Sequence, residues 1–357
     1  MIFRHQPKHK RTPAGASCSS SPSSLPRRHT GRRRARILGQ RTAYPYGAMI
    51  MLLLAVAGCM GSPRAEVTRR QNPPSPSAVA MVASPTRLPT ITSSSSAKPS
   101  CGRARTAGTL DLTLPGGRRA MLAVPAGDDG HHRLPLVVGL PGYGQTSEEL
   151  AAQSRIPARA MAAGVLAVLP QGAGPAKSWN FSGTTGYDDL GFLSALVTQL
   201  AATECADPAR VVITGISDGG DMAGFAACAL PGRFTAVVTV AASIDPRASC
   251  HPIRIVAVHG DADPVDPYRG GPDGRPGYPA IPPAETAIAA WAALRGCSTA
   301  TTTRLTAHIA ATIYPCGAQL VTVNGGGHTW PGGAPVDPSR GVTTGEYDAT
   351  ATILGLV

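Results

Sequence analysis

From residue 105 onward, short apolar runs alternate with longer stretches of helical period. The runs at 135–140 (PLVVGL), 164–170 (GVLAVLP), 210–216 (RVVITGI), 234–242 (FTAVVTVAA), 253–260 (IRIVAVHG) and 319–325 (QLVTVNG) have the length and β-branched content of strands buried on both faces. Between and after them, 147–163, 188–203, 218–230, 284–295 and 346–355 read as helices. Near the start, TLDLTLP and RRAMLAVP flank Gly116-Gly117 and predict a β-hairpin. Strands alternating with helices predict an α/β fold with a mostly parallel sheet covered on both faces, one domain over 105–357. Sites in such sheets lie beyond the carboxyl ends of the strands, where the candidate chemistry must be sought.

The first hundred residues lack this rhythm. Residues 1–47 are rich in Arg, Ser and Pro, with no acidic residue and no hydrophobic period, and 48–58 (AMIMLLLAVAG) is an apolar run of eleven. That is well short of the roughly 20 residues that span a bilayer, so 1–58 is expected to be a signal peptide with a basic leader. Val56-Ala57-Gly58-Cys59 resembles the bacterial lipobox, which implies cleavage before Cys59 and a lipid on its thiol. The alternatives are an ordinary signal peptide with an incidental cysteine, or a true start near Met49. Residues 59–104 are dominated by Pro, Ser, Thr and Ala and read as an extended tether. The expected location is extracytoplasmic, with the domain held to the membrane through Cys59 or secreted.

Charge changes the picture only once it is divided. The chain carries 33 Lys and Arg against 21 Asp and Glu, a formal +12. Sixteen of those cations lie in residues 1–100 beside a single acid, Glu66, whereas 101–357 holds 17 against 20. A basic excess confined to the leader does not argue for nucleic acid, and 4% aromatic content argues against base-stacking platforms. Apart from Cys18 and Cys59, six cysteines remain, at 101, 205, 228, 250, 297 and 316. An even number in an exported chain favours disulfides over buried free thiols. Cys297 with Cys316 is the first expected pair, since both flank the same β-region before the last strand; Cys228 with Cys250 and Cys101 with Cys205 complete the set. No C-x-x-C, H-E-x-x-H or nucleotide-type glycine loop occurs in the required context, so neither metal nor cofactor is expected.

Gly215-Ile216-Ser217-Asp218-Gly219 follows the strand RVVITGI and opens a helical segment. That strand–turn–helix context gives a G-x-S-x-G pentapeptide meaning: a serine on a sharp turn has its hydroxyl lifted clear, next to the free N–H groups of a helix start. The bland alternative is a tight turn with a capping serine. A serine at neutral pH needs a base, and the base an orienting carboxylate. His328, in the glycine loop after the last strand, is the expected base. His131, His132 and His308 read as solvated surface, and His259 as a residue that orders its own turn.

The order of LPGYGQ, LPQG…SWN, GYDDLGFL, TGISDGG, VHGDADPVDPY and GGGHTWPGG over about residues 106–355 resembles the esterase/polyhydroxybutyrate depolymerase family of α/β-hydrolases, which includes feruloyl esterases. The resemblance implies Ser217 as nucleophile, His328 as base and then acid, and Asp263 as the orienting carboxylate, with Asp261 as rival. It implies backbone N–H groups of Asp218 and Tyr143 as oxyanion donors. Trp179 in SWN and Trp330 after the histidine are candidate walls for an acyl or aromatic group, unless they pack in the core. Asp188 and Asp189 are expected to be caps or loop braces. Three residues depart from the family pattern: Pro141 stands where a bracing His is usual, Asp218 puts a charge beside the serine that would raise the pKa of the base, and Asp266 replaces a valine. The activity implied is hydrolysis of carboxylic esters, such as 3-hydroxyalkanoate oligomers or feruloyl and acetyl esters, by a monomer. A retired hydrolase serving as an envelope-binding lipoprotein and a serine peptidase on the same fold are the rival readings.

Overall fold

The computed structural model describes residues 101–357. The leader, Cys59 and the tether up to residue 100 lie outside the described residues. In chain order the elements are β1 (Gly108–Thr113), β2 (Arg119–Val124), β3 (Leu134–Leu140), α1 (Ser147–Ser154), α2 (Ile156–Ala162), β4 (Leu166–Pro170), α3 (Asp189–Thr203), β5 (Ala206–Ile216), α4 (Asp218–Ala229), β6 (Ala236–Val240), β7 (Arg254–Gly260), α5 (Ala284–Leu294), β8 (Thr301–Arg304), β9 (Ile309–Tyr314), β10 (Ala318–Val323) and α6 (Ala349–Leu354). The ten strands form one sheet in the order β1-β2-β4-β3-β5-β6-β7-β10-β9-β8. Its centre, from β4 through β10, is parallel. The hairpin of β1 and β2 at one edge and β9 and β8 at the other are antiparallel.

The continuous apolar runs are explained by two cores, one on each face. Leu136 and Val138, with Val211, Ile213 and Val237, face α3, α4 and α5 through Leu193, Leu196, Met222 and Trp291. Val137 between them, with Val212, Val238, Val256 and Val321, faces α1, α2 and α6 through Leu150, Ile156 and Ile353. Strand side chains alternate between faces, so a sheet covered on both sides needs apolar residues at every position.

One expectation is corrected and another made more specific. The stretch 147–163 is two helices, because Arg155 sits at φ 58° and Pro157 starts a new turn where a continuous helix would need its N–H. The β-region expected before the last strand consists of β8 and β9, although no apolar run marks β8, which is TTTR and exposed along its whole length. The cysteines pair as 101–205, 228–250 and 297–316, as expected. Among the described residues no helix is long and apolar enough to cross a membrane, and no group of three or more His, Cys, Asp or Glu could hold a metal ion.

Candidate active site

Ser217 occupies the junction between β5 and α4 at φ 56° and ψ −130°, a conformation that L-residues rarely adopt. Such strain costs of order 1–3 kcal/mol and persists only where the surroundings enforce it. Here they do. A Cβ on Gly215 would lie 2.2 Å from the carbonyl oxygen of Gly219, and one on Gly219 would lie 2.2 Å from that of Leu140. Ser217 N–H donates to Val240 O at 3.0 Å, pinning the turn to β6. The N–H of Asp218 belongs to the first turn of α4, whose donors have no intrahelical acceptor.

The carboxyl ends of β7 and β10 carry the other two residues. Asp263 Oδ1 accepts from Val265 N and Asp266 N, each at 2.8 Å, and its Oδ2 accepts from His328 Nδ1 at 2.8 Å. Burial alone would raise the pKa of Asp263, but hydrogen bonds from His259 and His328 outweigh it and hold the carboxyl well below the usual range. His328 is 6% exposed, and its own N–H donates to Arg340 O at 2.6 Å. Asp261 faces elsewhere, accepting from Gly325 N at 2.6 Å. His259 Nε2 donates to Asp266 O at 2.8 Å, while its Nδ1 meets Ser243 Oγ at 3.0 Å, so it does order its own turn. Ser217 and His328 line one cleft. No hydrogen bond joins them in this structure; such contacts often close only around substrate.

The loop after β3 brings Gly142 beside the serine, with a Cβ position 3.5 Å from that of Ser217. Tyr143 follows, 54% exposed as a residue and lining the cleft. In place of a histidine brace, Gln145 holds this loop: its Oε1 accepts from Gly142 N at 2.9 Å and its Nε2 donates to Gln153 Oε1 at 2.8 Å. Trp179 and Trp330 are both 0% exposed, and neither lines the cleft. The expectation of indole walls is therefore corrected: both rings find partners in the interior. Trp179 Nε1 donates to Pro141 O and its backbone N to Asp218 Oδ2, both at 2.8 Å, so it ties the loop after β3 to the serine turn. Trp330 Nε1 donates to Thr350 Oγ1 at 3.0 Å, fastening the histidine loop to α6. Asp188 caps α3 by accepting from Gly191 N at 2.8 Å, and buried Asp189 accepts from Asn180 N at 2.7 Å.

The cleft encloses about 520 Å³. Its lining mixes apolar Ile216, Val265, Ile281 and Val336 with polar Gln145, Asp266, Arg275 and Arg340. Sequence reading missed Arg275, which sits in a Gly- and Pro-rich loop that reads as a plain connection. Its Nη1 donates to Asp218 Oδ1 at 2.6 Å, and Nε and Nη2 grip Asp273 at 2.6 and 2.7 Å. The charge expected from Asp218 is thus countered within the fold; the only sequence signal was that a buried acid at the serine turn demands a cation. Burial still raises the pKa of Asp218 despite that arginine. Two further carboxyls are less well served. Asp221 is buried with Oδ1 unpartnered, and burial together with Asp266 raises its pKa. Asp266, 6% exposed and also unpartnered at Oδ1, is pushed up to about 7, chiefly by burial.

Similarity to known proteins places the chain in a family. The chain is 30% identical over 336 residues to the protein named "Putative esterase NocK" of Nocardia uniformis subsp. tsuyamanensis, covering 85% of this chain and 93% of that protein. The chain belongs to the α/β-hydrolase esterases. This esterase is also 29% identical over 183 residues to feruloyl esterase C of Emericella nidulans, covering 48% of the chain and 64% of that protein. Its fold is shared with the acetyl xylan esterase from Aspergillus awamori, at a TM-score of 0.51 and 15% identity, covering 70% of this chain and all of that one. The prolyl oligopeptidase family matches residues 159–264, which contain the serine turn and Asp263 but not the loop of His328.

Proposed function

We propose that this esterase is an exported serine hydrolase working through an acyl-enzyme. Ser217 Oγ attacks the ester carbonyl while His328 takes its proton; Asp263 keeps the imidazole in the tautomer with Nδ1–H and steadies its charge. The N–H groups of Asp218 and Tyr143 receive the oxyanion, an interaction whose single donors are worth roughly 10²–10³ in rate in serine hydrolases. The alcohol leaves with the proton from His328, and water repeats the sequence. The observation that carries this reading is the buried 2.8 Å bond from His328 to Asp263 at the rim of the cleft that the strained Ser217 also lines.

The mixed lining suits esters with polar groups on either side of the carbonyl, as in 3-hydroxyalkanoyl oligomers, feruloyl esters or sugar acetates. Pairing of all six cysteines in the described residues supports folding in an oxidising compartment. With it goes the organisation read from sequence: an export signal over 1–58, a tether over 59–104 acylated at Cys59, and the catalytic domain over 105–357.

Ser217→Ala is expected to lower p-nitrophenyl ester hydrolysis at least ~10⁴-fold with an unchanged melting temperature. A variant that keeps its rate would overturn the assignment. A fluorophosphonate should label Ser217, which excludes a retired binding protein. The prolyl oligopeptidase match favours a second reading, a peptidase, and rates on matched ester and amide substrates decide between them. Mass spectrometry of the mature N-terminus tests the lipid on Cys59.

A further inference from the structure

The segment 261–283 between β7 and α5 does more than carry Asp263. It returns across the cleft and inserts Arg275 between the serine turn and the loop after β3. The guanidinium lies 3.8 Å from the ring centre of Tyr278 and 5.5 Å from that of Tyr143. Asp273, two residues away, holds it in a fork, and the remaining Nη1 reaches the buried carboxylate of Asp218 at 2.6 Å.

We infer that Arg275 is a positioning residue for both proposed oxyanion donors, fixing Asp218 through its carboxylate and Tyr143 through its ring. The inference rests on the reading of Ser217 given above. Asp218 has two carboxylate contacts, Arg275 on Oδ1 and the N–H of Trp179 on Oδ2. Trp179 in turn holds Pro141 O, so the chain of contacts runs from Arg275 through Asp218 and Trp179 to the loop bearing Tyr143. Without the guanidinium, Asp218 keeps one neutral donor for a charge that is almost fully buried. The side chain must then swing toward water or draw a proton, and the backbone N–H on the same residue moves with it. A carboxylate left unneutralised at this point also opposes negative charge on the reacting oxygen. Both effects act on the transition state and little on the bound ester.

The test compares wild type with Arg275→Met, Arg275→Lys and the double variant Arg275→Met/Asp218→Asn, using a soluble p-nitrophenyl ester and a fluorophosphonate probe. The amide introduced by Asp218→Asn needs no counter-charge and retains an acceptor for Trp179 N–H. Arg275→Met is expected to lose about 10²–10³ in kcat, the size of one lost oxyanion donor, with KM within threefold. Phosphonylation should slow in parallel. The double variant should recover at least tenfold of the lost kcat, which a merely structural role for Arg275 would not predict. A kcat within threefold of wild type in Arg275→Met, a loss confined to KM, or a folded double variant with no recovery would each overturn the inference. If Arg275→Met does not fold, Arg275→Lys replaces it: the ammonium lacks the fork, so a kcat loss of tenfold or more is expected, and a wild-type kcat refutes. Failure of the probe to label wild-type Ser217 would instead sink the underlying assignment.

Discussion

Replacing Asp266 with asparagine should make the protein more stable in neutral and alkaline solution and leave it nearly unchanged in mild acid. Asp266 lies in the loop between β7 and α5 with Oδ1 buried and unpartnered. Its Oδ1 is 3.6 Å from His259 Nε2. Burial is the dominant influence and pushes the carboxyl up to about 7; His259 and Arg275 pull it down, while Asp263 and Asp273 raise it further. Asp221, a buried carboxyl nearby, repels its charge. In the unfolded chain the same group titrates at about 3.9.

The sign follows from proton counting. Between about pH 4 and about pH 7 the unfolded chain has released this proton and the folded protein still holds it, so stability falls as pH rises through that window. Above the window the loss is complete; below it there is none. At about 1.36 kcal/mol per tenfold change in proton affinity, the span from about 3.9 to about 7 corresponds to roughly 4 kcal/mol. Asparagine is the neutral isostere of the protonated acid, so it removes the penalty at high pH at little cost at low pH. For a domain of this size 1 kcal/mol moves the melting temperature by about 2–4 °C, which sets an upper limit of roughly 8–16 °C at pH 8. Thermal melts of both proteins from pH 4 to pH 9 measure it. Curves that run parallel throughout would show that Asp266 is ionised across the range and refute the reasoning.

Other consequences are as direct. Asp263→Asn keeps the acceptor for Val265 and Asp266 N–H but turns an amide toward His328, so kcat should fall roughly 10³–10⁴-fold; Asp261→Asn should stay within a few-fold on the same ester, and the reverse order would make Asp261 the orienting acid. Among the disulfides, Cys101–Cys205 closes a separation of 104 residues and Cys297–Cys316 one of 19. Loop entropy then predicts that paired Cys→Ser replacement costs about 5 kcal/mol at the first and about 3 at the second, read from urea unfolding, and equal losses would contradict it.

Legibility in the sequence tracked how local each feature is. The serine turn was readable because its sequence signals are contiguous: the strand that feeds it, two glycines forced by backbone approaches of 2.2 Å, and the helix behind. The parallel strands were readable because a sheet with helices on both faces leaves no polar positions in its centre. The break at Arg155 was not, and the edge strand β8 was legible only as part of a β-region, not as a strand of its own. The first is a single residue at φ 58° inside an otherwise helical pattern, and the second is a row of exposed threonines held only by pairing with β9. Trp179 failed differently, since an indole's place in a wall or in a core depends on which loops close over it. Arg275 was hidden for the same reason: 57 residues separate it from the carboxylate it neutralises.

The loop between β7 and α5 shows how one short segment sets two carboxyls to opposite purposes. Asp263 and Asp266 are three residues apart and almost equally buried. Asp263 receives two backbone N–H groups on one oxygen and the His328 ring on the other, so its charge is stabilised and it stays ionised. Asp266 receives no hydrogen bond at Oδ1, and burial outweighs the pull of His259 and Arg275, so near neutrality it shares its time between acid and anion. Environment, not residue type, separates the permanently charged partner of His328 from a neighbour that titrates. The same logic accounts for Asp218, a third buried acid, whose pKa burial raises and whose charge Arg275 favours through a 2.6 Å contact. Each of the three aspartates is therefore defined by what the 261–283 loop brings to it, and altering that loop should change the chemistry of the serine turn without touching the turn itself.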